Sequence, residues 1–156
     1  MASETVFDLK FTSREVTAWG GLALLKRMLD GMGFGQAVQS WDLPQPGSNR
    51  GYRPKQLIEQ MMVSIWCGAA RFAHADITRL DSTLVRLFGW GKAAGHKAIV
   101  RLFQRFDQSS ATRVQSSSYR WLFDKLQLNP ITLDVDSTVL TRWGSQIEGA
   151  ASGYNP

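Results

Sequence analysis

Residues 131–156 read ITLDVDSTVLTRWGSQIEGAASGYNP, and their opening alternation sets the terms for the whole chain. Ile131, Leu133 and Val135 alternate with Thr132, Asp134 and Asp136, which is the two-residue period of a half-buried β-strand. Both carboxylates therefore point to the same face. Ser137, Thr138, Val139, Leu140 and Thr141 are mostly β-formers, so the expected strand runs to about Arg142 before Trp143 and Gly144 open a loop. Asn129-Pro130 marks its start, because the residue before proline is pushed out of the helical region.

Two carboxylates on one strand face suit a hard cation such as Mg²⁺ or Mn²⁺, which takes oxygen ligands. A two-metal site for phosphoryl transfer clamps the attacking and leaving oxygens, and its carboxylates come from separate parts of a chain. After Asp136 only Glu148 remains. By spacing alone, Asp134 and Asp136 fit two solvated residues on the open face of an edge strand better than a metal site.

The wording of the segment adds to its spacing. Leu133-Asp134-Val135-Asp136-Ser137-Thr138, followed by Gly144, Gln146, Glu148-Gly149-Ala150 and Gly153-Tyr154-Asn155-Pro156, closely resembles insertion-sequence transposases of the DDE class. Upstream, Phe11-Thr12-Ser13, Trp19-Gly20-Gly21-Leu22 and Arg50-Gly51-Tyr52-Arg53-Pro54 look like the same family, so the resemblance covers most of the chain. It implies a mainly α chain. A helical, DNA-binding region over residues 1–128 would lead into the first strand of a ribonuclease-H-like α/β core over residues 129–156, with that core incomplete in this sequence.

Residue by residue, the aspartate before Ser-Thr matches the family's first catalytic, metal-binding carboxylate, here Asp136, with Asp134 as the second choice. The family's other two acidic ligands match no position in this chain. Ile147 separates Gln146 from Glu148, a departure from the family's pattern. The resemblance also implies Mg²⁺ or Mn²⁺ in the intact enzyme, no tight metal binding by this chain alone, and double-stranded DNA at the ends of the element as partner. Such a chain alone would bind DNA without cutting it. The alternatives are a non-catalytic helical DNA-binding or interaction protein, and a remnant without function.

Composition is compatible with this reading. With 156 residues, 44% of them hydrophobic, there is material for a sizeable core. A net charge of +5 favours a polyanionic partner, since lysine and arginine that neutralise phosphates release counterions. Cys67 lies in the apolar run Ile65-Trp66-Cys67-Gly68 and reads as a small buried hydrophobe. His74 and His96 stand apart from each other and from any cysteine pair, so zinc-ligand spacing is absent. The start MASETVFDLK does not read as a signal peptide, and the most apolar helix, over residues 57–70, is too short to span a bilayer. A soluble, cytoplasmic chain without a membrane partner is expected.

Along the chain, residues 6–11 alternate as a short strand would. Leu22, Leu25, Leu29 and Met32 mark an amphipathic helix ending in the glycines of residues 31–35, and residues 42–54 read as a loop. Pro54 suits a first helical position, and Leu57, Ile58, Met61, Met62, Ile65 and Trp66 form the broad apolar face of the helix it opens. A short helix is expected over residues 79–89. The glycine-rich stretch of residues 89–95 that follows is a turn without a Walker pattern.

Two further helices are expected over residues 96–107 and 110–126, joined by Gln108 and Ser109. In the first, Ile99, Leu102, Phe103 and Phe106 form the apolar stripe, with Lys97, Arg101 and Arg105 nearly opposite. In the second, Tyr119, Leu122, Phe123 and Leu126 are expected to be buried, with Arg113, Arg120 and Lys125 elsewhere on the surface. Residues 86–125 hold eight lysines and arginines against two aspartates, a balance of +6. A helix-turn-helix-like module with Lys97, Arg101, Arg105, Arg113 and Arg120 on DNA phosphates is compatible with that excess, and so is a solvated helix face. A homo-oligomer is also compatible, because a lone edge strand would find a partner in another copy.

Overall fold

A computed structural model describes residue 13, residues 15–47 and residues 51–126. The expected strands over residues 6–11 and 131–142, with Asp134 and Asp136, lie outside the described residues. Those described are mainly helical, without a strand among them: α1 (Leu22–Gly31), α2 (Phe34–Ser40), α3 (Pro54–Trp66), a 3₁₀ turn (Phe72–His74), α4 (Ala75–Arg79), α5 (Ser82–Leu87), α6 (His96–Phe103) and α7 (Gln108–Lys125).

The middle of the fold is α3. Pro54 occupies its first turn, where a missing N–H leaves no bond unmade. Its far end closes with a Schellman turn: Ala69 N–H donates to the Ser64 carbonyl and Gly68 N–H to that of Ile65, both at 2.9 Å. Gly68 takes φ +91°, a left-handed backbone that residues with a Cβ resist. The same turn closes α5, with Gly89 at φ +67° and Trp90 N–H donating to the Val85 carbonyl at 3.0 Å.

Two apolar cores meet on α3. Val63 belongs to the larger, with Leu22, Leu29, Phe34, Val38, Leu84 and Phe88. Leu57 belongs to the smaller, with Ala75, Ala94, Ile99 and Leu102, and Ile58 packs against both. Between them the buried stripe is polar. Gln60 and Ser64 are both fully buried, a turn apart, while Ile65 and Trp66 of the expected apolar face are exposed. The Ser64 hydroxyl donates to the Gln60 carbonyl at 2.8 Å and lies 2.9 Å from Thr78 Oγ1, which donates to the Ala75 carbonyl at 3.0 Å. Each buried polar group therefore has a partner, as burial requires. The indole N–H of Trp90 is the one exception among the described residues; it faces Glu59 outside hydrogen-bond geometry. Burial, opposed by Lys55, holds the Glu59 carboxyl above its usual range.

Several expectations change. The glycines after α1 lead into another helix, α2, which buries Phe34 and Val38. The helix expected over residues 79–89 is shorter, Ser82–Leu87, because α4 ends at Arg79 and Asp81 caps α5 by accepting the Leu84 N–H at 2.9 Å. Gln108 and Ser109 lie in the first turn of α7 rather than in a joint. The joint is at residues 104–107, where Asp107 and Ser110 form a reciprocal capping box. Tyr119, Leu122, Phe123 and Leu126 are exposed, not buried. Instead α7 presents Val114, Ser117, Ser118 and Trp121 to the body, and Trp121 packs edge-on against Phe34 and Trp41 with centroids 5.5 and 6.5 Å away. Periodicity allowed either stripe, and the aromatic partners on and after α2 decide between them. Cys67 is half-buried, and burial pushes its thiol up to about 11, which keeps it protonated near neutral pH.

Candidate nucleic-acid interface

The basic residues take their places from α6 and α7. Two anchors hold the start of α6. Asp76 Oδ1 accepts the His96 backbone N–H at 3.0 Å while Oδ2 meets His96 Nδ1 at 2.5 Å. These bonds, the backbone one first, hold the Asp76 carboxyl below its usual range. From the other side, α3 and Tyr52 just ahead of it grip the segment leading into α6. Tyr52 Oη donates to the Ala93 carbonyl at 3.2 Å, Gln56 Nε2 to that of Lys92 at 2.6 Å, and Gln60 binds Ala94. With Ile99 and Leu102 buried below, the opposite face of α6 presents Lys97 and Arg101 to solvent.

Residues 40–47 collect four of the five predicted arginines and lysines, in order. Arg120 lines a hollow of about 270 Å³ with Ala37, Ser40 and Trp41. One step on, Arg113 Nε donates to Asp42 Oδ2 at 2.8 Å, and its Nη1 donates to Ser109 Oγ at 2.5 Å. Next, Arg105 Nη1 donates to the Gln45 carbonyl at 3.3 Å. Arg101 and Arg105 then line a groove of about 380 Å³ with Pro46, Gly47 and Tyr52. All four arginines are exposed. Lys97 shares the face of Arg101 one turn away but is not among the residues meeting this segment. Neither Lys97, Arg101 nor Arg120 forms an ion pair with a described residue.

The two basic helices do not pair as a compact helix-turn-helix would. Instead α6 packs chiefly on the 3₁₀ turn and α3, while α7 packs on α2. What joins their charges is the stretch after α2, part of the expected loop over residues 42–54. Asp42 and Gln45 are separated from their partners by 71 and 60 residues, and no local pattern announces such a contact.

A family model described as transposase DDE domain group 1 matches residues 2–155. The chain belongs to the DDE transposase family. No curated protein and no solved structure matches it. For a DDE transposase, DNA is the partner in general terms, and divalent metal is the family's general requirement. Among the described residues of this transposase no three acidic, histidine or cysteine side chains gather as a metal site would need. No described helix is long and apolar enough to cross a membrane.

Proposed function

We propose that this transposase chain uses its helical region, residues 1–128, to grip duplex DNA at the ends of its element, and that residues 129–156 begin the catalytic core. The observation that carries the first half is the ordered meeting of Arg120, Arg113, Arg105 and Arg101 with residues 40–47. Arginines on one surface neutralise phosphates and fix position on a duplex without reading its sequence. Lys97 extends the same positive face along α6. The second half rests on the match of Asp136 to the family's first carboxylate, with Asp134 beside it. Bound Mg²⁺ or Mn²⁺ would supply activation of water, and then of a DNA 3′-hydroxyl, for cleavage and strand transfer.

One carboxylate of this chain matches the three that such a reaction needs. The 156-residue chain assayed by itself therefore binds duplex DNA in a salt-dependent manner and does not cut it. Gel-shift titration with duplex, followed by incubation with Mg²⁺, tests both statements. Mg²⁺-dependent nicking that disappears in Asp136→Ala would show that this chain is catalytically sufficient, against the proposal. Absence of any salt-dependent binding would remove the DNA-grip reading.

A further inference from the structure

Two acids lie along the basic line: Asp124 shares the hollow of Arg120, and Asp42 is bound directly by an arginine. Asp42 is the residue that Arg113 binds, at 2.8 Å, yet both side chains stay more than half exposed, at 54% for Arg113 and 69% for Asp42. So exposed a pair adds little to stability. Nor is it needed to seat α7, which is already fastened by the edge-on packing of Trp121 against Phe34 and Trp41. What the carboxylate offers Arg113 is what a phosphate offers: anionic oxygens that accept from a guanidinium fork. On either side of it the neighbouring arginines are differently occupied. Arg105 is held by a neutral carbonyl, while Arg120 and Arg101 have no ion pair with a described residue. Residues 40–47 reach at most about 28 Å when extended. That is less than one duplex turn of about 34 Å, so the line can follow one stretch of backbone.

We propose that residues 40–47 and their four arginines form one phosphate-tracking surface for duplex DNA, and that Asp42 holds Arg113 in the place a phosphate takes on binding. The proposal rests on the DNA-grip reading above and adds to it the surface and its internal competitor. Asp42 weakens binding and removes Arg113 from the salt dependence, because an arginine that stays paired with a carboxylate neutralises no phosphate and releases no counterion from the DNA.

The test is fluorescence anisotropy of the full chain with a mixed-sequence duplex of about 20 base pairs, roughly two turns, across a salt series. Asp42→Asn is expected to bind several-fold tighter, with the log–log salt slope steeper by about 0.9, one phosphate contact. In an Arg113→Gln background the same substitution is expected to do no more than Asp30→Asn, which removes the carboxylate paired with Lys26 within α1. Equal effects of Asp42→Asn and Asp30→Asn in the otherwise unchanged chain would overturn the proposal, as would an Asp42→Asn gain that survives Arg113→Gln. If neither the unchanged chain nor Asp42→Asn binds duplex in a salt-dependent way, the DNA-grip reading fails and this proposal with it.

Discussion

The carboxamide of Gln60 satisfies both backbone groups of Ala94: Nε2 donates to the Ala94 carbonyl at 2.6 Å, and Oε1 accepts the Ala94 N–H at 2.8 Å. A side chain thus stands in for the sheet or helix partner that Ala94 lacks, at a fully buried position between the two cores. It also sets where α6 begins, and so where Lys97 and Arg101 point.

Gln60→Leu should therefore be costly despite its similar size. It orphans a buried donor and a buried acceptor, each worth roughly 1–3 kcal/mol, so a loss of about 2–6 kcal/mol is expected. Urea unfolding followed by circular dichroism measures it. A change within about 0.5 kcal/mol, the range of ordinary surface substitutions, would mean that Ala94 finds other partners.

Stability should fall as pH drops below the ordinary carboxylate range, with Asp76 as one contributor. The His96 backbone N–H, then its ring, lower the native pKa of Asp76 beneath the unfolded value of about 3.9. On acidification the unfolded chain takes up that proton first. The contribution is thus fully present above the unfolded pKa and is lost as pH falls through the native one. Asp107, lowered mainly by the backbone N–H of Ser110, acts in the same direction. Urea midpoints between about pH 2 and 6 should show a shallower acid slope for Asp76→Asn than for the unchanged chain.

Gly68→Ala and Gly89→Ala should each destabilise by about 1 kcal/mol. At neither position would a Cβ meet any atom within 4 Å, so the cost is conformational: both residues hold φ above +60°. Gly91→Ala, with equal space and no positive φ, is the matched control. Thermal melts in which all three behave alike would refute the assignment.

On DNA, Arg101→Gln and Arg105→Gln should each reduce the salt slope by about 0.9 and weaken binding by similar factors on duplexes of different sequence. Anisotropy on two unrelated duplexes distinguishes this from base reading, in which one duplex would suffer far more than the other. Lys125→Gln, at the far end of α7, should change little.

Much of the helical order was legible in the chain. Pro54 starts α3 where its missing N–H is harmless, and Gly89 follows the end of a helix as its freedom suggests, whereas the helix expected to reach residue 70 stops at Trp66. The apolar side of α6 was legible at Ile99 and Leu102 but not at Phe103, which is exposed. The misses share one cause. Gln60 and Ser64 lie outside the apolar face that periodicity marks, whereas tertiary partners 34 and 14 residues away satisfy them when buried. Tyr119 and Phe123 fit an apolar stripe of α7 as well as Trp121 does, and only Phe34 and Trp41 reveal which stripe turns inward. The basic residues were found as a set, yet their order along residues 40–47 depends on Asp42 and Gln45, which carry no pattern of their own.

Because α3 lends Leu57 to one core and Val63 to the other, the two cannot open independently. Exposing either means displacing the same helix. Local fluctuations that loosen a small domain piecemeal are thereby suppressed in its middle, and amide exchange in α3 and at Ala94 is expected to report the global unfolding event. Any pull on α6, the proposed duplex included, would pass through Gln60 to the element whose release unfolds the described helices as a unit.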